Sequence, residues 1–146
     1  DLDLALMLFG KPKSIRAYGM KVLTDKFDHV KALLNYGHSV VTIENSRNDV
    51  KTERSVQLNS ANGILRVDLL NNKVSYSKDI KSDSEQEIHE FDYEKRDHLY
   101  IEQEKFYNSI TNNTEEFVTI DDGIAAMELI AAVNTSLNEN KEVNLI

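Results

Sequence analysis

Cysteine is absent from the 146 residues, so no disulfide framework holds the chain and no thiolate is available for metal binding or nucleophilic attack. Basic residues are in the minority. Seventeen Lys and Arg against 25 Asp and Glu give a formal net charge of −8, which argues against a phosphate-backbone partner such as nucleic acid. No apolar run reaches membrane-spanning length, and no signal peptide is recognisable, so a cytoplasmic protein without a membrane partner is expected. No Gly-rich loop leads from a strand into a helix, and there is neither a phosphate-binding loop nor a Ser nucleophile elbow. The four histidines (His29, His38, His89 and His98) lack paired metal-ligand spacing; the turn at Gly37 could make His29 and His38 neighbours, but surface or packing roles are the favoured reading.

What is present is 40% apolar and 29% charged, the balance of a globular domain long enough to bury a core. Its centre is residues 27–78. In FDHVKALLNY, Val30, Ala32, Leu34 and Tyr36 fall on one face. Val41 and Ile43 follow in HSVVTIENSR, then Val56 and Leu58, then Leu65, Val67 and Leu69. Turns are read at Gly37-His38, at Asn62-Gly63 as a type I′ hairpin, and at Asn71-Asn72. Five consecutive strands of this kind predict an antiparallel meander. Several carry apolar residues on both faces, so both faces of the sheet are expected to be covered, one by helices and one by something else.

Around this centre, LDLALMLF predicts a short helix that is apolar nearly all round and hence buried, stopped by Gly10-Lys11-Pro12. No capping residue leads into it, which gives the expectation that the chain is cut from a longer protein whose missing part is N-terminal. KSIRAYGMKV reads as a strand with Ile15, Ala17 and Gly19 alternating against Ser14, Arg16 and Tyr18. DIKSDSEQ reads as a mobile polar loop, and EIHEFDY as an edge strand with Ile88 inward. Residues 99–111 predict a helix with Leu99, Gln103, Phe106, Tyr107 and Ile110 on one face, ended by Asn112-Asn113. Thr119 caps a longer helix, with Asp122 in the capping-box position, running to about Asn138 with Ile120, Ile124, Met127, Ile130, Ala131 and Val133 as its buried stripe. VNLI closes as a short strand. The fold class is α+β, a mostly antiparallel sheet with helices packed on one face, in one domain over residues 1–146.

Reactive constellations are few. Asp1 and Asp3 stand at the mouth of the apolar helix, where the helix dipole alone accounts for acidic residues. Glu44, Asn45, Arg47 and Lys51 cluster between two strands. Arg47 and Lys51 suit an anionic group, the first as a planar fork and the second as a point charge.

These same residues carry a resemblance. DLDLALMLFGKPKSIRA is similar to the segment that follows the catalytic histidine in the Gfo/Idh/MocA family of NAD(P)-dependent sugar oxidoreductases, with Asp3 at the family's acidic position and the histidine itself before Asp1. The tail, a helix carrying Phe106 followed by Thr119-x-x-Asp122-Gly123 opening an Ala-rich helix, resembles the family's closing pattern. IENSRNDVKTERSV looks most like the UDP-N-acetyl amino sugar 3-dehydrogenase branch, through Lys51, Glu53 and Arg54. The resemblance implies a C-terminal substrate-binding and oligomerisation domain. The dinucleotide-binding domain, the catalytic Lys and the Asp-x-x-x-His pair would lie upstream. NAD or NADP would then be held by the full-length protein and no cofactor by this stretch, which is expected to be inactive alone. Asp3, Asn45, Arg47 and Lys51 would bind the sugar or nucleotide-sugar substrate, and a homo-oligomer would form through the outer sheet face. A free-standing α+β interaction domain is the alternative.

Overall fold

The structure, a computed structural model, describes residues 1–78, 88–112 and 118–145. In chain order the elements are α1 (Leu2–Phe9), β1 (Ser14–Met20), β2 (His29–Asn35), β3 (Val40–Ser46), β4 (Ser55–Ser60), β5 (Gly63–Asp68), β6 (Lys73–Lys78), β7 (Ile88–Asp92), α2 (His98–Asn112), α3 (Ile120–Glu139) and β8 (Val143–Asn144). The fold is α+β, with two four-stranded antiparallel sheets. Residues 1–49 and 115–146 make one compact unit and residues 50–114 another.

In the first unit the strand order is β3-β2-β1-β8. The alternation read from sequence sets the register. Ala17 faces Ala32 and Ile15 faces Leu34 across β1 and β2, while Ile43 and Val41 continue the same inner rows on β3. α1 and α3 cover this inner face. Ile15, Leu34 and Leu129 are fully buried, together with Ala5, Ala17, Ala32 and Ala132. The small side chains let helix and sheet approach closely, and burial of the branched ones drives it. Gly19 marks the closest approach, since a Cβ there would lie 2.7 Å from the Phe27 ring and 2.9 Å from Leu137. Ser136, wholly buried on α3, accepts from the Ala17 N–H at 2.9 Å and donates to the Lys141 carbonyl, so its own hydroxyl is satisfied on both sides. Tyr36 closes the far end. Its hydroxyl donates to the Gly10 carbonyl at 3.2 Å, its ring meets Phe9, and burial raises its pKa.

The predicted cap of α3 is present in full. The Thr119 Oγ1 accepts from the Asp122 N–H and the Asp122 carboxylate accepts from the Thr119 N–H, which holds that carboxyl below its ordinary pKa. Of the stripe it was expected to bury, Val133 packs against the core, partly buried, and the rest does not. Leu129, Ala132 and Ser136 face the sheet, whereas Ile120, Ile124, Met127, Ile130 and Ala131 are exposed, Ile120 by 80%. Both stripes are apolar at helical spacing, so spacing alone does not choose between them. α1 behaves similarly. Ala5 is buried and Leu2 and Leu6 pack against the core, but Met7, Leu8 and Phe9 are exposed.

The five meander strands all form, but not as one sheet. β3 ends at Ser46, residues 47–54 are irregular, and β4 begins a separate sheet in the order β4-β5-β6-β7. The β4–β5 hairpin also departs from the type I′ expectation. Ser60 pairs with Gly63, so the two-residue loop is Ala61-Asn62 and Gly63 belongs to the strand. Gly63 takes φ 143°, and a Cβ there would stand 2.2 Å from the Ser77 carbonyl oxygen of β6. At the next turn Asn72 is left-handed, φ 55°, as a tight hairpin requires. Ile88 lies on edge strand β7 and is 62% exposed rather than inward. α2 forms where expected, yet Leu99, Phe106, Tyr107 and Ile110 are exposed and Ser109 is its buried residue. DIKSDSEQ, read as a mobile loop, and residues 113–117 fall outside the described residues.

Candidate functional site

The sequence candidates gather at the mouth of α1, and there only in part. β3 carries the inner-face row Val41, Ile43, Asn45, and the apolar row turns polar where it meets the start of α1. There the Asn45 Nδ2 donates to the Asp1 Oδ2 at 3.0 Å. Asp3, in the first turn of α1, is exposed. Asp1 thus sets a carboxylate beside an amide on an open surface, and Asp3 adds an exposed carboxylate on the same first turn; such oxygens accept hydrogen bonds from hydroxyl groups.

Asp28 places the next candidate, and the sequence pattern offers no sign of its role. This buried carboxylate accepts from the Val22, Leu23 and Thr24 N–H groups at 2.8–3.1 Å and from the Thr24 hydroxyl. The Thr24 N–H leads in holding its pKa below the ordinary carboxylate value, followed by that of Leu23, while burial opposes the shift. The backbone of Asp28 bonds on both sides. Its N–H donates to the Met20 carbonyl, and its carbonyl accepts from the Arg47 N–H at 3.0 Å. Arg47 therefore leaves β3 with a fixed backbone and an exposed side chain. Lys51 lies in the irregular stretch of the other compact unit and is exposed. Asp1, Asp3, Asn45 and Arg47 belong to one unit and Lys51 to the second.

Glu44, their neighbour in sequence, points to the opposite face of the sheet. Its Oε1 meets the His29 Nε2 at 2.9 Å and its Oε2 accepts from the Lys31 Nζ at 3.1 Å. The hydrogen bond to His29, then that to Lys31, lowers the Glu44 pKa. This outer face continues with Arg16, Tyr18, Leu33 and Val40, a mixture of charged and apolar groups in register. His29 begins β2 and His38 lies in the turn beyond its other end, so the two are not neighbours. Among the described residues no group of three or more His, Asp or Glu is placed to hold a metal ion, and no helix is long and apolar enough to cross a membrane.

A nicotinamide dinucleotide needs a glycine-rich turn from a strand into a helix, where backbone N–H groups meet its phosphates. Here Gly10 ends α1, Gly19 and Gly63 lie in strands, Gly37 turns a hairpin and Gly123 lies within α3. These residues do not fit that cofactor.

Residues 1–145 match the oxidoreductase-family C-terminal alpha/beta domain. The chain belongs to the Gfo/Idh/MocA oxidoreductase family. No curated protein matches it. Among solved structures, UDP-N-acetylglucosamine 3-dehydrogenase GnnA from Acidithiobacillus ferrooxidans is 28% identical, with a TM-score of 0.82 over 95% of this chain and 45% of that one. The yvaA protein of Bacillus subtilis shares the fold at 18% identity and a TM-score of 0.84, over 99% of this chain and 49% of that one. The WlbA dehydrogenase from Bordetella pertussis, solved with NADH and UDP-GlcNAcA, shares it at 15% identity and a TM-score of 0.66, over 99% of this chain and 42% of that one. The chain thus spans less than half the length of GnnA.

Proposed function

We propose that this chain is the substrate-side portion of an NAD(P)-dependent dehydrogenase that oxidises a hydroxyl of a nucleotide sugar, of the UDP-N-acetyl amino sugar 3-dehydrogenase kind. The observation that carries this reading is the likeness to GnnA, 28% identical over 95% of the chain. Two features of the molecule support it. The residues here do not fit a dinucleotide, so cofactor and hydride transfer belong to another part of the protein. The exposed stripes of α1 (Met7, Leu8, Phe9) and α3 (Ile120, Ile124, Met127, Ile130) form more apolar surface than a finished exterior carries, and they suit packing against that other part.

On this reading, the chain's task is to hold the sugar. The Asp3 carboxylate accepts a hydrogen bond from a sugar hydroxyl, Asn45 is braced against Asp1 for a similar contact, and Arg47 lends positive charge to the anionic end of the substrate. Alone, the 146 residues turn over no substrate.

The test is Asp3→Ala in the full-length protein. Losing one charge-assisted hydrogen bond of about 2 kcal/mol lowers kcat/KM for the nucleotide sugar by about thirtyfold, while the Kd for the dinucleotide stays unchanged. An equal fall in both makes Asp3 a structural residue and removes it from the site.

A further inference from the structure

The second compact unit carries an open concavity of about 720 Å³ whose rim is basic. Arg54, Lys95, Arg96 and His98 line it, with Asn72 and Tyr93 between them. Three of the chain's 17 lysines and arginines thus converge on one hollow of a protein whose net charge is −8. We propose that this concavity binds a diphosphate group.

Three backbone segments build the hollow, and each is tied down. The Leu69 N–H donates to the Arg54 carbonyl at 2.8 Å, joining the start of β4 to the end of β5. The Asp68 carboxylate accepts from the Leu70 and Asn71 N–H groups, both at 3.0 Å, and from the Asn71 Nδ2 at 2.8 Å, which locks the turn into β6. The Tyr93 N–H then donates to the Asn72 carbonyl at 2.9 Å, anchoring the run that carries Lys95, Arg96 and His98 against that turn. The acidic group in the lining, Asp97, accepts from the Tyr100 N–H at 3.1 Å and so begins α2.

The chemistry selects the ligand. Arginine presents a planar fork to paired phosphate oxygens and lysine a compact charge, and the Asn72 amide and Tyr93 hydroxyl add neutral donors. A single carboxylate would engage one cation, whereas a diphosphate spreads its charge across several. A volume of about 720 Å³ holds a diphosphate together with an attached organic group, for which Leu69, Leu70 and the Tyr93 ring supply apolar wall. The inference stands without the dehydrogenase reading, because binding is measured in the absence of catalysis.

The probe is inorganic pyrophosphate, titrated calorimetrically into the full chain at low salt. One saturable site per chain is expected, weakening as salt rises. The double variant Lys95→Gln/Arg96→Gln lowers affinity at least tenfold. Both side chains are exposed, so the fold is retained, and circular dichroism checks it. A control, Lys26→Gln/Lys141→Gln, removes the same charge elsewhere and leaves affinity unchanged. Absence of saturable binding, equal affinity in the double variant, or an equal loss in the control each overturns the proposal. In the full-length protein, competition against the nucleotide sugar separates the two sources of a diphosphate. A rise in KM alone identifies the substrate's own diphosphate, and a change in kcat identifies a separate effector.

Discussion

Asp28 and Gly63 are the two residues whose surroundings leave least choice. With its pKa lowered in the folded chain, Asp28 contributes stability that is fully present above its unfolded pKa of about 3.9 and is lost as pH falls through the lower folded value. Asp28→Asn is therefore expected to be less stable than the parent at pH 7, with the gap closing on acidification below about pH 4. Urea unfolding at a series of pH values reads this, and a gap independent of pH would mean that the carboxylate charge is not what holds residues 22–24. Gly63→Ala drives a Cβ into the Ser77 carbonyl, and a loss of about 3 kcal/mol is expected. Neither role is legible in the sequence. Asp28 looks like a break in the alternation of FDHVKALLNY, and Gly63 looks like half of a turn. What decides each is a backbone that arrives from elsewhere: three N–H groups of one connector for the first, strand β6 for the second.

At the level of elements, local chemistry predicts existence well and orientation poorly. The capping box at Thr119 and Asp122, the stop at Gly10 and the strand through Ile15, Ala17 and Gly19 are written in neighbouring residues, and all are found. The face of α3 is not written there, because Ile120–Ile124–Met127 and Leu129–Ala132–Ser136 are equally helical in spacing and only packing on β1 selects the second. The contrast gives a prediction within one helix. Leu129→Ala opens a cavity in the core and costs about 3 kcal/mol, whereas Ile124→Ala in the 146-residue chain changes stability by less than about 0.5 kcal/mol. Chemical denaturation of both variants checks it, and similar losses would place Ile124 in the core. The candidate site was half legible for a related reason. Asn45 does reach Asp1, because strand alternation puts it on the inner face, while Glu44, one residue earlier, is committed to His29 and Lys31 on the other.

At the scale of the whole molecule, the family is carried by the match over residues 1–145, and the outer face of β1–β3 is where a second copy is proposed to sit. Tyr18, Leu33 and Val40 would supply its apolar contacts, and Arg16, Lys31 and Glu44 charges of both signs, as a self-complementary patch needs. Light scattering of the full-length protein should report a dimer or larger. Tyr18→Lys, which sets a third cation beside Arg16 and Lys31, should shift it towards monomer, and a parent that is already monomeric would remove the interface. The break of the meander at residues 47–54 could not be read at this scale, since its strands carry the same alternation on either side of it.

The first unit is also assembled from distant stretches of chain. The bond from the Ala17 N–H to Ser136 joins residues 119 apart, and β8 pairs with β1 last of all. During synthesis β1, β2 and β3 leave the ribosome with the whole second unit still to be made before the helix that shelters them appears. The nascent protein therefore carries an oily, half-dressed ply for much of its translation, a debt of vulnerability that chaperones rather than the finished packing must cover.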